Sequence, residues 1–331
     1  MHGAPARSAG EAATWPPRTR RAGIDGVPAA AALARASAVD TFRTLPYCIG
    51  MRSGKRPLVL GHRGFRARYP ENTLLAFRQA IDNRADGVEC DIQKTADGRY
   101  VVIHDPTTDR VTGVGGEVAK TSFKDLRGLD FGSGEKIPEL SELLDAIPAG
   151  SYLDLELKEE TLTIEDCAPL AAMLDAHIPR RHLMVSSFEP QLLMPFRRRG
   201  FTVGFLLGEE SAARGTKALL RALFQLRPQY LNLPVQLVEK LGPALASVVL
   251  AFLRLMGFSL LFWTVNTDTQ AARVVNWARM IVTDHVDSLV RFLDQAAPRK
   301  AGKGDVRRTC WSLSRDRRAR SGRRSGRSAR R

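Results

Sequence analysis

Cysteine is scarce, four in 331 residues (Cys48, Cys90, Cys167, Cys310), with no CxxC pair and no regular spacing. That excludes a disulfide-built scaffold and favours a reduced, cytoplasmic-type chain; a secreted or membrane-associated protein is the alternative. No GxGxxG follows the first apolar run, which counts against a doubly wound open sheet, the alternative α/β fold, and no nucleotide cofactor is indicated. Uninterrupted apolar runs of membrane-spanning length are also wanting. The nearest, Leu241–Trp263, contains Arg254 and is divided by Gly257. It reads better as a helix over Pro243–Met256 and a strand over Ser259–Val265. Packing of that helix on a protein core is preferred to an interfacial contact with lipid.

What the chain has in excess is positive charge at its ends. Residues 1–56 carry a net +6 and residues 299–331 a net +12, which leaves −3 for residues 57–298 out of a total of +15. Residues 1–56 read as a disordered extension and 299–331 as a disordered Arg-rich tail, flanking one domain over 57–298. Arg315–Arg331 would meet nucleic acid or an anionic membrane through counterion release, or remain a solvated tail; no specific protein partner is expected. Arg20-Arg21 before the alanine-rich Val27–Ala38 is a poor secretion signal, because Asp25 interrupts it. Met51, seven residues before the first clear strand, is an alternative start.

Between the ends, short apolar runs alternate with helical patterns. Strands are expected over Leu58–Gly61, Gly87–Ile92, Tyr152–Leu157, Leu183–Ser187, Phe201–Leu206, Tyr230–Leu233, Ser259–Val265 and Met280–Thr283, with an extra short one over Tyr100–His104. Helical patterns follow nearly every one: 73–83, 141–147, 166–176, 190–199, 216–226, 236–256, 269–278 and 288–295. Eight strand–helix repeats in a chain of this size predict an α/β fold of the (β/α)8 barrel type, a TIM barrel. Pro106–Lys136, rich in Gly, Thr and Asp, reads as an insertion after the second strand, near the barrel mouth.

Barrel enzymes keep reactive groups at the carboxyl ends of their strands. The second strand places Glu89 and Asp91 on one face, and Val88, Cys90 and Ile92 on the other. The third places Asp154, Glu156 and Lys158 opposite Leu153, Leu155 and Leu157. With the apolar faces against the helices, the carboxylates point into the barrel, where burial demands counter-charge. Arg63 and Lys158 supply some. A divalent cation held by Glu89, Asp91 and Glu156 would supply more, and an all-oxygen set favours Mg²⁺ or Ca²⁺. A structural ion-pair network is the competing account. His62 ends the first strand and His104 the extra one, and a pair of imidazoles beside a cation suits proton transfer on a phosphate ester.

His62-Arg63-Gly64, Glu71-Asn72-Thr73, Glu89-x-Asp91, His104-Asp105-Pro106, Glu156-x-Lys158 and Trp263-Thr264-Val265-Asn266 occur in this order. In that order they resemble glycerophosphodiester phosphodiesterases, over about residues 57–294. The resemblance implies a TIM barrel that hydrolyses glycerophosphodiesters to glycerol 3-phosphate and an alcohol. It implies Glu89, Asp91 and Glu156 as metal ligands and His62 and His104 as the acid/base pair. Arg63 and Lys158 would contact phosphate, Trp263 would line the pocket, and Glu71 and Asn72 would help order the site. Three stretches depart from the family pattern: Thr283-Asp284-His285-Val286-Asp287, Leu129-Asp130-Phe131-Gly132, and the region before Trp263, which is longer and more apolar; all are expected to bear on substrate choice and to leave the catalytic groups untouched. A lysophospholipase D, using the Pro243–Met256 helix for an acyl chain, is the alternative enzyme. A non-catalytic phosphodiester- or anionic-lipid-binding protein would not need the full set of acid, base and metal positions.

Overall fold

A computed structural model describes residues 56–296 except 209, 210 and 212. The disordered ends expected over 1–56 and 299–331, the alternative start at Met51, the Arg315–Arg331 tail, Cys48 and Cys310 lie outside the described residues, apart from Arg56.

The chain opens with β1 (Leu58–His62), α1 (Leu74–Asp82), β2 (Gly87–Lys94) and β3 (Tyr100–Val102). The short helices α2 (Asp109–Thr112), α3 (Phe123–Gly128) and α4 (Leu140–Ala146) precede β4 (Tyr152–Leu157) and α5 (Cys167–His177). Then follow β5 (Leu183–Ser187), α6 (Pro190–Arg198), β6 (Thr202–Leu206), α7 (Thr216–Leu226), β7 (Tyr230–Pro234) and α8 (Val235–Leu255). The chain closes with β8 (Ser259–Trp263), α9 (Asp268–Val274), β9 (Met280–Thr283) and α10 (Val286–Ala296). Eight strands pair in parallel in the cyclic order β1-β2-β4-β5-β6-β7-β8-β9, and β9 returns to β1 with Gly61 opposite Thr283. The expected TIM barrel is therefore closed. β3 hangs antiparallel on the end of β2, which runs two residues past its expected end to pair with it.

Alternation along the strands separates two cores. Val88, Cys90 and Ile92 of β2 and Leu153, Leu155 and Leu157 of β4 join the large apolar layer beneath the helices. Leu60, Tyr152, Met184, Leu261, Met280 and Val282 fill the barrel floor, below the carboxylates. Helix boundaries follow local chemistry: Thr73 caps α1 by accepting from the Ala76 N–H with its hydroxyl. Cys90 and Cys167 are buried free thiols, and burial raises both pKa values, that of Cys167 to about 11.

Pro106–Lys136 is the expected insertion, and it carries α2, α3 and a 3-10 turn around a small core of Val101, Ile103, Val118, Leu126, Phe131 and Ile137. One expectation needs correction. The long helical pattern of 236–256 is broken at Gly242, whose φ of 69° lies outside the helical region, so α8 is two helical pieces.

One glycine governs how the first strand delivers its residues. Gly64 has φ of 83°, and a Cβ there would lie 2.5 Å from the Ala76 carbonyl carbon on α1. The Gly64→Ala variant is expected to lose about 2–4 kcal/mol of stability in chemical denaturation. An unchanged midpoint would show that the loop relaxes without cost.

Candidate active site

The first turn after β1 places the leading groups. Arg63 sits in the left-handed region with φ of 51°, and its backbone N–H donates to Glu89 Oε2 at 3.0 Å. Its guanidinium donates to Glu71 Oε1 at 2.9 Å, and its Nε lies 3.2 Å from Asp91 Oδ2. Asn72, also left-handed with φ of 56°, donates through Nδ2 to Asp91 Oδ2 at 3.0 Å. Asn is among the residues that tolerate this conformation best.

Register brings the carboxylates together. Glu89 lies opposite Asp154, and Asp91 opposite Glu156, across the β2–β4 pair. One oxygen from each of Glu89, Asp91 and Glu156 falls within 4.8 Å of the others. Lys158 Nζ bonds Glu156 Oε1 and lies 2.9 Å from Asp91 Oδ1. Three buried carboxyl groups and the half-buried Glu156 thus face two cations, and the imbalance appears in their ionisation. Burial pushes Glu89 well above the usual carboxylate range, helped by the charges of Asp91 and Glu156. Burial likewise raises Asp154 to about 8, with Glu156 and Asp91 adding to it and the Ser186 hydroxyl bond at 2.7 Å opposing. Asp91 goes the other way: burial would raise it, but Lys158 and Arg63 hold it well below the usual range. Lys158 is held above its ordinary value by Asp91 and Glu156, despite burial.

Glu89 Oε1 and Asn72 Oδ1 are buried with no hydrogen-bond partner. Two orphaned oxygens beside a cluster of three close carboxylates form an all-oxygen donor set short of positive charge, and a hard divalent cation fits it.

The two histidines lie near this cluster, and each is tied by Nδ1 to a carboxylate. His62 Nδ1 lies 2.6 Å from Asp284 Oδ1, and His104 Nδ1 lies 2.6 Å from Asp105 Oδ1. Both imidazoles are near enough for their charge to couple to that of Asp91. Burial lowers the His62 pKa, against the Asp284 hydrogen bond. Asp284 is itself held by Asn266, whose Nδ2 donates to Oδ2 at 2.7 Å.

Glu71 joins the two halves. It accepts from Arg63, from Arg66 Nε at 2.8 Å and from both terminal nitrogens of Arg110, at 3.0 and 2.6 Å. Arg110 also bonds Asp105, the partner of His104, while Arg66 Nη1 lies 3.6 Å from Asp284, the partner of His62. Trp263 ends β8, three strands round the ring from β2. Its indole packs edge-on to Phe188 with centroids 5.9 Å apart, and its Nε1 is buried without a partner.

The structure therefore gathers Arg63, Glu71, Asn72, Glu89, Asp91, Glu156 and Lys158 into one bonded cluster, sets His62 and His104 beside it, and places Trp263 farther round the barrel. Asp284, Asp105, Arg66, Arg110 and Asn266 were not assigned roles from sequence. The expectation that the Thr283–Asp287 departure leaves the catalytic candidates untouched is corrected by the Asp284–His62 bond. A polar residue directly after the last strand was the available signal.

Glu71 gives the network a pH signature. Burial would raise its pKa, but the Arg110 bonds and the Arg63 charge hold it at about 2, below its ordinary 4.5. A depressed carboxylate stabilises the fold above its unfolded pKa and loses that contribution as pH falls through the folded one. Glu71→Gln is expected to cost about 2–3 kcal/mol near neutral pH, with the gap to wild type closing between about pH 4.5 and pH 2. A gap independent of pH would contradict the assignment.

Comparison with known proteins gives the family. Residues 62–288 match the Glycerophosphoryl diester phosphodiesterase family. The glycerophosphodiester phosphodiesterase of Caldanaerobacter subterraneus subsp. tengcongensis is 29% identical over 252 residues, spanning 72% of this chain and 98% of the relative. The crystal structure of the Thermotoga maritima glycerophosphodiester phosphodiesterase is 28% identical with a TM-score of 0.61, covering 72% of this chain and 99% of that one. An Oleispira antarctica phosphodiesterase, solved in complex with the product sn-glycerol-3-phosphate, is 26% identical with a TM-score of 0.64, over 72% of this chain and 97% of that one. With the match spanning the barrel from His62 to beyond Asp284, the chain belongs to the glycerophosphoryl diester phosphodiesterase family.

Proposed function

We propose that this chain hydrolyses glycerophosphodiesters to glycerol 3-phosphate and an alcohol, with His62 and His104 exchanging the protons and a divalent cation bound at the carboxylates. The observation that carries the reading is the pairing of each histidine Nδ1 with its own carboxylate at 2.6 Å, both imidazoles within electrostatic reach of Asp91 in a cluster of three close carboxylates. A carboxylate on Nδ1 orients the ring, stabilises its protonated form and commits Nε2 to the proton transfer. One histidine would take the proton from the nucleophile, a water or the neighbouring glycerol hydroxyl. The other would protonate the leaving alcohol oxygen as its bond to phosphorus breaks.

Glu89, Asp91 and Glu156 would hold Mg²⁺ or Ca²⁺, which when bound polarises the phosphoryl oxygens as a Lewis acid. Arg63 and Lys158 place two positive charges at the same edge of the barrel, where they would offset the charge that builds on the phosphate. Glu71 and Asn72 hold Arg63 and Asp91 in place, and Trp263 would line the pocket wall.

Glycerophosphodiesters are preferred to lysophospholipids as substrates. α8 starts at the end of β7, and its apolar second piece, beyond Gly242, leads to the start of β8, the barrel end opposite the one where β1 delivers His62. An acyl chain would have to leave the barrel to reach it.

His62→Ala and His104→Ala are each expected to lower turnover of glycerophosphocholine by roughly 10²–10⁴-fold while leaving the unfolding midpoint nearly unchanged. Near-normal turnover in both variants would sink the acid/base assignment. Faster turnover of lysophosphatidylcholine than of glycerophosphocholine by the wild-type chain would overturn the substrate preference.

A further inference from the structure

Among the described residues, nine large apolar side chains are exposed, and seven of them lie on two consecutive helices of the outer ring or directly after the second. Leu220 and Phe224 belong to α7; Leu245, Val248, Phe252 and Leu255 belong to α8, and Met256 follows it. Phe224 is 73% exposed and Leu255 84%, values far from those of helices packed on a core. Spacings of four on α7 and of three, four and three on α8 put each set on one helical face.

The opposite face of α8 is seated on the barrel through Ala246 and Leu250, both buried. The helix is also broken at Gly242, so its apolar piece is too short to cross a bilayer. A face of this kind lies along a surface instead of passing through it.

Charge decides which surface. Residues 190–267 carry nine Lys/Arg against three Asp/Glu, a net +6, so the rest of 57–298 carries −9. Lys217 and Arg221 share the face of Leu220 and Phe224 on α7, and Arg227 holds its guanidinium 5.4 Å from the Phe224 ring centroid. Arg254, beside Phe252 and Leu255, donates to the Asn276 carbonyl oxygen. A second copy of the chain docked on this face would oppose like charges across a two-fold interface. The chain's own extensions, at +6 and +12, carry the same sign and are poor covers. An anionic lipid surface matches both the apolar side chains and the cationic margin.

We propose that the α7–α8 face docks the barrel on anionic membranes, with Phe224, Val248, Phe252 and Leu255 entering the interface between headgroups and acyl chains. This goes beyond the hydrolase reading and does not depend on it.

Flotation of the full chain with vesicles of equal parts phosphatidylcholine and phosphatidylglycerol tests the proposal, with phosphatidylcholine vesicles as the comparison. Expected is binding to the anionic vesicles that weakens with added salt and falls by at least about tenfold in the Phe224→Ser/Phe252→Ser double variant, whose unfolding midpoint stays near the wild-type value. Binding unaltered in the double variant would assign the lipid contact to the basic extensions and overturn the proposal. So would an absence of vesicle binding combined with a dimer in solution that the double variant dissolves.

Discussion

Everything at the mouth of this barrel follows from gathering four carboxyl groups in one place. Glu89, Asp91, Asp154 and Glu156 come from two neighbouring strands whose register sets them side by side, and only Arg63 and Lys158 stand against them. The molecule settles the imbalance by letting Asp91 remain charged between two cations while burial keeps protons on Asp154 and raises Glu89. Such a cluster is costly as a mere scaffold, since an apolar filling would pack the same barrel with no desolvation penalty. A site that binds a cation and a phosphate gives those buried charges a use.

The second organising feature is the guanidinium lattice around Glu71. Arg66 and Arg110 reach from it toward the carboxylates behind His62 and His104, so one residue at the rim steadies both imidazoles. Arg110 lies on α2 of the inserted segment, which explains why that segment has a small apolar core of its own. A flexible loop would hold His104's partner poorly, and a misplacement of about an ångström is enough to degrade proton transfer.

Much of this was legible in the residues because the relevant patterns are local. Period-two alternation in 88–92 and 153–158 separated helix-facing leucines from inward carboxylates, and the histidines stood at the ends of recognisable strands. What stayed hidden depends on closure. Asp284 is 222 residues from His62 in sequence, and only the pairing of β9 with β1 brings them together. Arg110 is equally silent in sequence, because its partner Glu71 lies 39 residues away on a different element. The break of α8 at Gly242 was legible in part: a helix starting at Pro243 follows from the glycine–proline pair, while the apolar periodicity over 236–256 reads straight through it.

The measurement that bears most directly on the account is release of glycerol 3-phosphate from glycerophosphocholine by the full chain, run in parallel with EDTA, Mg²⁺ and Ca²⁺. A buried carboxylate cluster that serves a cation predicts release with at least one of the metals and its abolition by EDTA. Equal release in EDTA, or none from folded protein with either metal, would contradict it.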